Sequence, residues 1–141
     1  MAEYTLRVLK DEPIILFTRE AGEWQAGEMS QSMVDTIALL DAQPGPMFLV
    51  LDLLTLSLDL SDSLAATTMA SRGPEPMLHH PKLRETIIVT TDPMMQHSVR
   101  AMAASPTFGF ARVSHVETVA DALTYCRLRL AETRGLAAHE P

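Results

Sequence analysis

The fold of this chain is decided by residues 46–71, which read PMFLVLDLLTLSLDLSDSLAATTMAS. The apolar run at residues 47–51 does not alternate with polar residues, which is typical of a strand covered on both faces. It ends at Asp52 and leads into a helix-like segment. We therefore predict the central strand of an α/β sheet. Partners and ligands of open α/β sheets bind beyond the carboxyl ends of strands, so we expect function in the loop at residues 52–63.

The composition favours a single domain without a membrane-spanning segment. Of the 141 residues, 47% are hydrophobic, which is enough for one core of ordinary size. We predict one domain at residues 1–135 and a disordered tail at residues 136–141. No apolar run reaches the roughly 18 residues that span a bilayer, and the amino-terminal residues lack the apolar core of a signal peptide. We therefore expect a cytoplasmic protein.

Net charge limits the possible partners, and cysteine content indicates the redox compartment. The net charge is -7 at pH 7, and the 11 basic residues are scattered along the chain. Nonspecific binding of nucleic acid needs clustered Lys and Arg, so we expect no nucleic-acid partner. The single cysteine, Cys126, cannot form an internal disulfide, which agrees with a reducing compartment. We interpret it as a small core residue of the last helix.

The residues before the central strand predict a hairpin and a helix. Residues 4–9 and 13–18 have the composition of strands and are separated by a short polar connection. At residues 28–40, apolar side chains recur every three or four positions, as on one face of a helix. That inward face consists of Met29, Met33, Ile37 and Leu40.

After the central strand, helices and strands alternate. Ser61 or Asp62 can cap a helix at residues 61–72, and Asp92 followed by Pro93 predicts a helix to about residue 104. The inward residues of this second helix are predicted to be Met95, Val99, Met102 and Ala103. The pattern Ser-His-Val-Glu at residues 114–117 is a capping box, which predicts the start of the last helix. The intervening strands are predicted at residues 85–91 and 108–113, and the inward side chains of the last helix are predicted to be Val116, Val119, Ala120, Leu123 and Leu130. This order predicts an α/β fold with a mixed five-stranded sheet, parallel in its later part, and about four helices.

The order of elements, together with the apolar strand that ends at Asp52 and leads into a serine-bearing loop and a short helix, resembles the STAS family, which includes the anti-sigma-factor antagonists. Four local motifs resemble those of a subgroup of that family: the apolar strand at residues 48–52, His80-Pro81, Asp92-Pro93 and the capped helix at residues 114–123. The chain is most similar to a group of small STAS-like bacterial proteins, over about residues 3–132. The resemblance implies a STAS-like fold and a regulatory module that binds another protein.

In the antagonists, an Asp-Ser-Ser-Gly-Leu motif begins eight residues after the strand's Asp, and a partner kinase phosphorylates its second serine. At that distance from Asp52 this chain reads Leu-Ser-Asp-Ser-Leu, at residues 60–64. The first Asp and the Gly of the motif are missing, and Asp62 occupies the position of the phosphorylated serine. A gap of one residue would bring Ser61 or Ser63 to that position.

The candidate site is therefore a polar cluster formed by Asp59, Ser61, Asp62 and Ser63. One interpretation is structural, because such residues cap helices and solvate loops. The other is a partner-binding or phosphoacceptor loop. The histidine pair at residues 79–80 lacks neighbours with the spacing of metal ligands, so we expect it to lie in a solvated loop and predict no metal site and no cofactor. The common nucleophile, phosphate and redox motifs are absent from the sequence, and we predict a protein that is not an enzyme.

Two further expectations concern ligands and self-association. Distant STAS-like folds include lipid-binding proteins, and this chain is rich in Met and Leu, so a small apolar ligand or lipid is the alternative function. A homodimer is predicted because the first strand leaves one sheet edge open and the helix after Ser63 carries small residues. These small residues are Ala65, Ala66 and Ala70.

Overall fold

A computed structural model of the chain describes residues 4–20, 26–56, 77–106 and 112–139, with side chains omitted at residues 26–30 and 134–139. Five strands and three helices lie in these ranges. In chain order they are β1 (Tyr4–Val8), β2 (Ile14–Arg19), α1 (Ala26–Asp41), β3 (Met47–Asp52), β4 (Leu83–Val89), α2 (Pro93–Ala104), β5 (Val113–Val116) and α3 (Val119–His139), with one 3-10 turn (Met77–His79) before β4.

The strands form one mixed sheet in the order β1-β2-β3-β4-β5. Strands β1 and β2 are antiparallel, whereas β2, β3, β4 and β5 are mutually parallel. The hairpin closes where Leu9 N donates to Ile14 O at 2.9 Å. Its turn contains Asp11 at a φ of 60°, a conformation that Asp adopts more readily than most residues. The predicted hairpin and the five-stranded mixed sheet are confirmed.

Strand β3 is covered on both faces, as its uninterrupted apolar run predicts. Phe48 and Val50 pack with α3, while Met47 and Leu49 pack with α1 and α2 on the opposite face. Side chains of a strand alternate between the two faces of a sheet, so a strand between two layers needs apolar residues at every position.

The layer on the side of α1 and α2 is rich in methionine, and we call it the methionine-rich layer. Its buried methionines are Met33, Met47, Met77, Met95 and Met102. The buried cluster on the side of α3 contains none. Methionine is flexible and fills irregular gaps, so this layer adapts more easily than the other to a change in packing.

The start of α2 matches the prediction from its sequence. The Asp92 side chain accepts a hydrogen bond from Met94 N at 3.2 Å, and Pro93 occupies the first turn. The inward residues of α2 include Met95, Val99 and Met102, as predicted, whereas Ala103 is exposed.

The predicted beginning of the last helix was wrong. Ser114, the expected cap, lies within β5, and α3 begins at Val119. The cap is Thr118, whose hydroxyl accepts from Asp121 N at 3.0 Å. Thr-x-x-Asp repeats the Ser-x-x-Glu pattern four residues later, and only pairing of residues 113–116 with β4 selects between the two. The strand expected at residues 108–113 therefore occupies Val113–Val116, although residues 107–111 are outside the described part.

Two other predictions concern the number and length of helices. Three helices occur among the described residues, against the four predicted, and the one predicted at residues 61–72 lies outside them. Helix α3 extends to His139, so it includes residues 136–139, which lie in the predicted disordered tail. None of the helices in the described ranges combines the length and apolarity that a bilayer span requires.

Candidate functional site

The carboxyl ends of the parallel strands define the edge of the sheet where a site is expected. Strands β2, β3 and β4 end there at Arg19, Asp52 and Val89. Leu53 N donates to Val89 O at 3.0 Å, which keeps the chain beside β4 as it leaves β3. The loop predicted to carry function therefore begins next to a regular part of the sheet.

Two side-chain contacts fix the first turn of this loop. Asp52 Oδ1 accepts from Leu54 N at 3.3 Å, which closes a short turn after β3. The Thr55 hydroxyl lies 3.1 Å from the carbonyl oxygens of both Arg19 and Glu20, so it ties the loop to the end of β2. Leu56 is buried in the methionine-rich layer. Residues 53–56 form a fixed stem for the segment that follows.

Polar groups at the end of β4 are also used within the fold. The buried Thr90 hydroxyl accepts from Asp92 N at 3.0 Å, and the Thr90 carbonyl accepts from Gln96 Nε2 at 3.3 Å. These bonds close the turn from β4 into α2, which Asp92 then caps. The polar side chains of Thr90 and Asp92 therefore serve the local structure at the start of α2.

The four predicted site residues, Asp59, Ser61, Asp62 and Ser63, lie outside the described residues. What the structure provides is the position of the flanking chain. Leu56 precedes the segment at the carboxyl edge, and Met77 follows it ahead of the amino end of β4. Both residues are buried in the methionine-rich layer. The ends of the candidate loop are therefore anchored in one layer.

Sequence reasoning did not single out Thr55 or Arg19. Their contact joins residues 36 positions apart, so no local pattern encodes it. The available signal was position, because both lie at or just beyond the carboxyl end of a predicted strand. Arg19 is almost completely buried, which is unusual for a charged side chain, and its Nη1 donates to Glu20 O at 3.3 Å.

At the opposite, amino edge, His80 holds the end of α1 against the turn before β4. Its Nε2 lies 2.7 Å from Asp41 Oδ1, and its Nδ1 accepts from Lys82 N at 3.0 Å. Because Nδ1 accepts, the ring proton in this arrangement is on Nε2 and is donated to Asp41. Lys82 Nζ donates to the carbonyl oxygens of Asp41 and Gln43 at 2.9 and 2.7 Å. A positive charge at this end of α1 interacts favourably with the negative end of the helix dipole.

The contacts of the His80 ring with Asp41 and with Lys82 N give it a structural role that the sequence did not reveal. We expected the histidine pair at residues 79–80 to lie in a solvated loop, but only His79 is exposed. In the described ranges, no three side chains of the metal-ligating types come together as a cluster.

Cys126 is confirmed as a core residue. Its side chain is 0% exposed and packs beneath α3 with Phe48 and Val50. Burial, followed by the nearby carboxylates of Glu85 and Glu12, raises the pKa of its thiol to about 12. Reactivity requires the thiolate, so Cys126 is inert near neutral pH.

Its neighbour Tyr125 takes part in a polar contact at the rim of the same layer. The Tyr125 hydroxyl donates to Glu85 Oε1 at 2.5 Å, and Arg129 Nε lies 3.5 Å from Glu85 Oε2. Burial and this hydrogen bond raise the pKa of Tyr125 to about 12. Glu85 thereby joins β4 to α3 through two partners.

One buried hydroxyl in the core has no such partner. Thr86 is 0% exposed, and its Oγ1 makes no hydrogen bond to any of the described residues. It pairs with Leu49 of β3 and Val113 of β5, both of which belong to the methionine-rich layer. Thr86 therefore presents an unsatisfied polar group to an apolar layer, which costs free energy.

Replacing Thr86 with valine is expected to stabilise the protein. Valine has nearly the same shape and removes the unpaired hydroxyl, so Thr86→Val should raise the free energy of unfolding by about 1 kcal/mol, measured by urea denaturation. The control is Thr36→Val in α1, where an equally buried hydroxyl donates to Ser32 O at 2.7 Å. That variant should be neutral or destabilised. A loss of stability in Thr86→Val would show that its hydroxyl is satisfied.

The chain matches no protein-family model, no curated protein and no solved structure. The resemblance to the STAS family accordingly stays a prediction from the sequence motifs. What the structure establishes is an α/β fold with a five-stranded mixed sheet.

Proposed function

We propose that this chain is a non-catalytic, STAS-like module that binds another protein in the cytoplasm and so acts in regulation. The binding surface is the loop with Asp59, Ser61, Asp62 and Ser63, together with the small-residue segment after it. The observation that carries this proposal is the fixed stem of the loop, formed by Asp52 and Thr55 at the carboxyl edge of the sheet.

A fixed stem favours binding for an energetic reason. Association costs conformational entropy for every segment that becomes ordered, so a loop whose stem is already held loses less on binding. The edge beyond the carboxyl ends of parallel strands is also where α/β folds commonly bind partners. In the stem, Leu54 is 44% exposed and offers an apolar contact beside the polar loop.

The test is partner capture from the native cytoplasm with matched variants. Ser63→Arg and Ala66→Arg add a long charged side chain to the proposed surface and should abolish capture. The control, Leu128→Arg, changes a residue of α3 that is 61% exposed and should leave capture unchanged. Capture that survives both loop variants, or is lost equally in the control, would contradict the proposed surface.

Phosphorylation of the loop is a more specific version of this proposal. The STAS resemblance implies a regulatory phosphoserine, and Ser61 and Ser63 flank the corresponding position. Phosphate on either residue, found by mass spectrometry of protein from cells in varied growth states, would support it. A fully unmodified loop under all these states would remove it while leaving partner binding intact.

The alternative function is binding of a small apolar ligand or lipid in the methionine-rich layer. Two observations favour it: five buried methionines lie on one side of the sheet, and on the same side the Thr86 hydroxyl has no hydrogen-bond partner among the described residues. Flexible methionines adapt to varied apolar shapes, and a buried hydroxyl can bind a polar head group. Native mass spectrometry of protein purified from its own cells should then show a bound lipid, reduced in Thr86→Val.

We also propose that the chain forms a homodimer. Either the outer edge of β1 or the small-residue segment with Ala65, Ala66 and Ala70 can provide the interface. The second of these lies outside the described residues.

A further inference from the structure

The outer edge of β1 has the backbone groups needed to extend the sheet. Strand β1 is the first in the sheet order, and no other strand of the described residues pairs with its outer side. Leu9 N donates to Ile14 O, so the backbone N–H of Leu9 points toward β2. In an antiparallel ladder, hydrogen-bonding direction alternates along the strand. The backbone N–H and C=O groups of Arg7 and Thr5 therefore also point toward β2, while those of Leu6 and Val8 point outward.

Within its own five residues, strand β1 lacks the usual sequence features that protect an edge against pairing. Natural edge strands carry inward charges, prolines, lysines or bulges that prevent another strand from adding. Strand β1 reads Tyr-Thr-Leu-Arg-Val, with a single charge and no proline, and its pairing with β2 has no bulge. Val8 at its end is 40% exposed, so an apolar side chain lies open beside the outward amides.

From this edge geometry we propose that β1 pairs antiparallel with β1 of a second copy, about a two-fold axis that passes through Leu6. The inference specifies the interface of the proposed homodimer and is independent of the partner-binding loop. At the axis, the two Leu6 residues exchange both of their outward hydrogen bonds. The two sheets join into one, and the methionine-rich layers of both copies lie on the same side of it.

Charge selects this register over the one whose axis is shifted by one residue to Arg7. Pairing about Leu6 places Arg7 opposite Thr5 of the second copy, so the only charged side chain of the strand faces a neutral one. A shift of the axis to Arg7 would place two arginines directly opposite each other, which destabilises a sheet. The same register brings the exposed Val8 side chain next to Tyr4 of the second copy.

Leu6→Pro tests the interface without breaking the hairpin. Its amide points away from β2, so proline removes the hydrogen bond at the axis but none between β1 and β2. Val8→Lys is the second variant, because it places a charge on the open edge at a position already exposed. Each should raise the dimer dissociation constant at least about tenfold, as expected from the loss of paired hydrogen bonds or the addition of an edge charge.

The control is Leu128→Lys in α3, which adds the same charge at an exposed site on another element and should leave the dimer unchanged. Light scattering should give twice the 15.5 kDa of one chain for the wild type, and circular dichroism should show that each variant folds. Hydrogen exchange followed by NMR provides an independent test: the Leu6 amide should be protected in the dimer as strongly as that of Arg7.

Three results would overturn the inference. A monomer at micromolar concentration removes the dimer altogether. A dimer that persists in both β1 variants must use another surface, which contradicts this interface but leaves the homodimer in place. Rapid exchange of the Leu6 amide within a wild-type dimer would likewise contradict this interface and leave the homodimer in place.

Discussion

Raising the pH from 9 to 12 is expected to lower the free energy of unfolding by up to about 4 kcal/mol through Cys126 alone, or about 1.4 kcal/mol per pH unit. Burial raises the pKa of the thiol from its ordinary value of 9.0 to about 12 in the folded protein. Below pH 9 it is protonated in both states, and its contribution to stability is present in full. Between pH 9 and 12 only the unfolded state loses the proton, so stability falls.

The measurement is urea unfolding at intervals from pH 8 to pH 12 for the wild type and Cys126→Ala. The alanine variant lacks the sulfur, so it should lose about 1 kcal/mol at pH 8 from the small cavity but show a shallower decline above pH 9. Val99→Ala, which creates a cavity on the opposite face of the sheet from Cys126, should keep the wild-type slope. Equal slopes in all three proteins would show that Cys126 ionises freely in the folded state.

Local patterns in the sequence predicted the parts of the fold that depend on nearest neighbours along the chain. The apolar run at residues 47–51 requires cover on both faces, and the structure provides it. Asp92 followed by Pro93 specifies a helix start because both residues act within one turn. In each case the favoured state follows from steric and hydrogen-bonding preferences of adjacent residues.

The start of the last helix depends instead on strand pairing. Ser114 and Thr118 are both competent caps with an acidic residue three positions later, so helix propensity cannot separate them. Pairing of Val113 with Thr86 and of Val116 with Val89 places the intervening residues in β5. A register between distant strands is not encoded in a local window, and this is why the prediction failed there.

The candidate site likewise has one part that the sequence predicts and one part that depends on contacts between distant residues. Its location beyond the carboxyl end of β3 follows from the order of strands and helices, which the sequence predicts. Its stem depends on Thr55 reaching the carbonyl oxygens at the end of β2, a contact between residues far apart in the chain. The bidentate pair of Arg127 with Glu12, at 2.9 and 3.0 Å, is another contact of this kind, because it joins α3 to the hairpin turn.

Among single substitutions, Phe48→Ala is expected to have the largest effect on stability. Phe48 is almost completely buried in the middle of the sheet, between Ile14 of β2 and Glu85 of β4 in the strand register. On the α3 side, the guanidinium of Arg84 lies 4.8 Å from the centre of its ring. Truncation loses the buried ring, leaves a cavity and removes a cation–π contact, so about 3–5 kcal/mol should be lost.

Two other variants show whether that loss comes from the ring. Phe48→Leu keeps most of the apolar volume and should lose clearly less than alanine, whereas Leu128→Ala, at a site 61% exposed, should stay within about 0.5 kcal/mol of the wild type. A loss below about 1.5 kcal/mol for Phe48→Ala would mean that the α3 layer closes over the cavity. Adaptable packing would then not be confined to the methionine-rich layer, and the argument for a ligand there would lose one of its two supports.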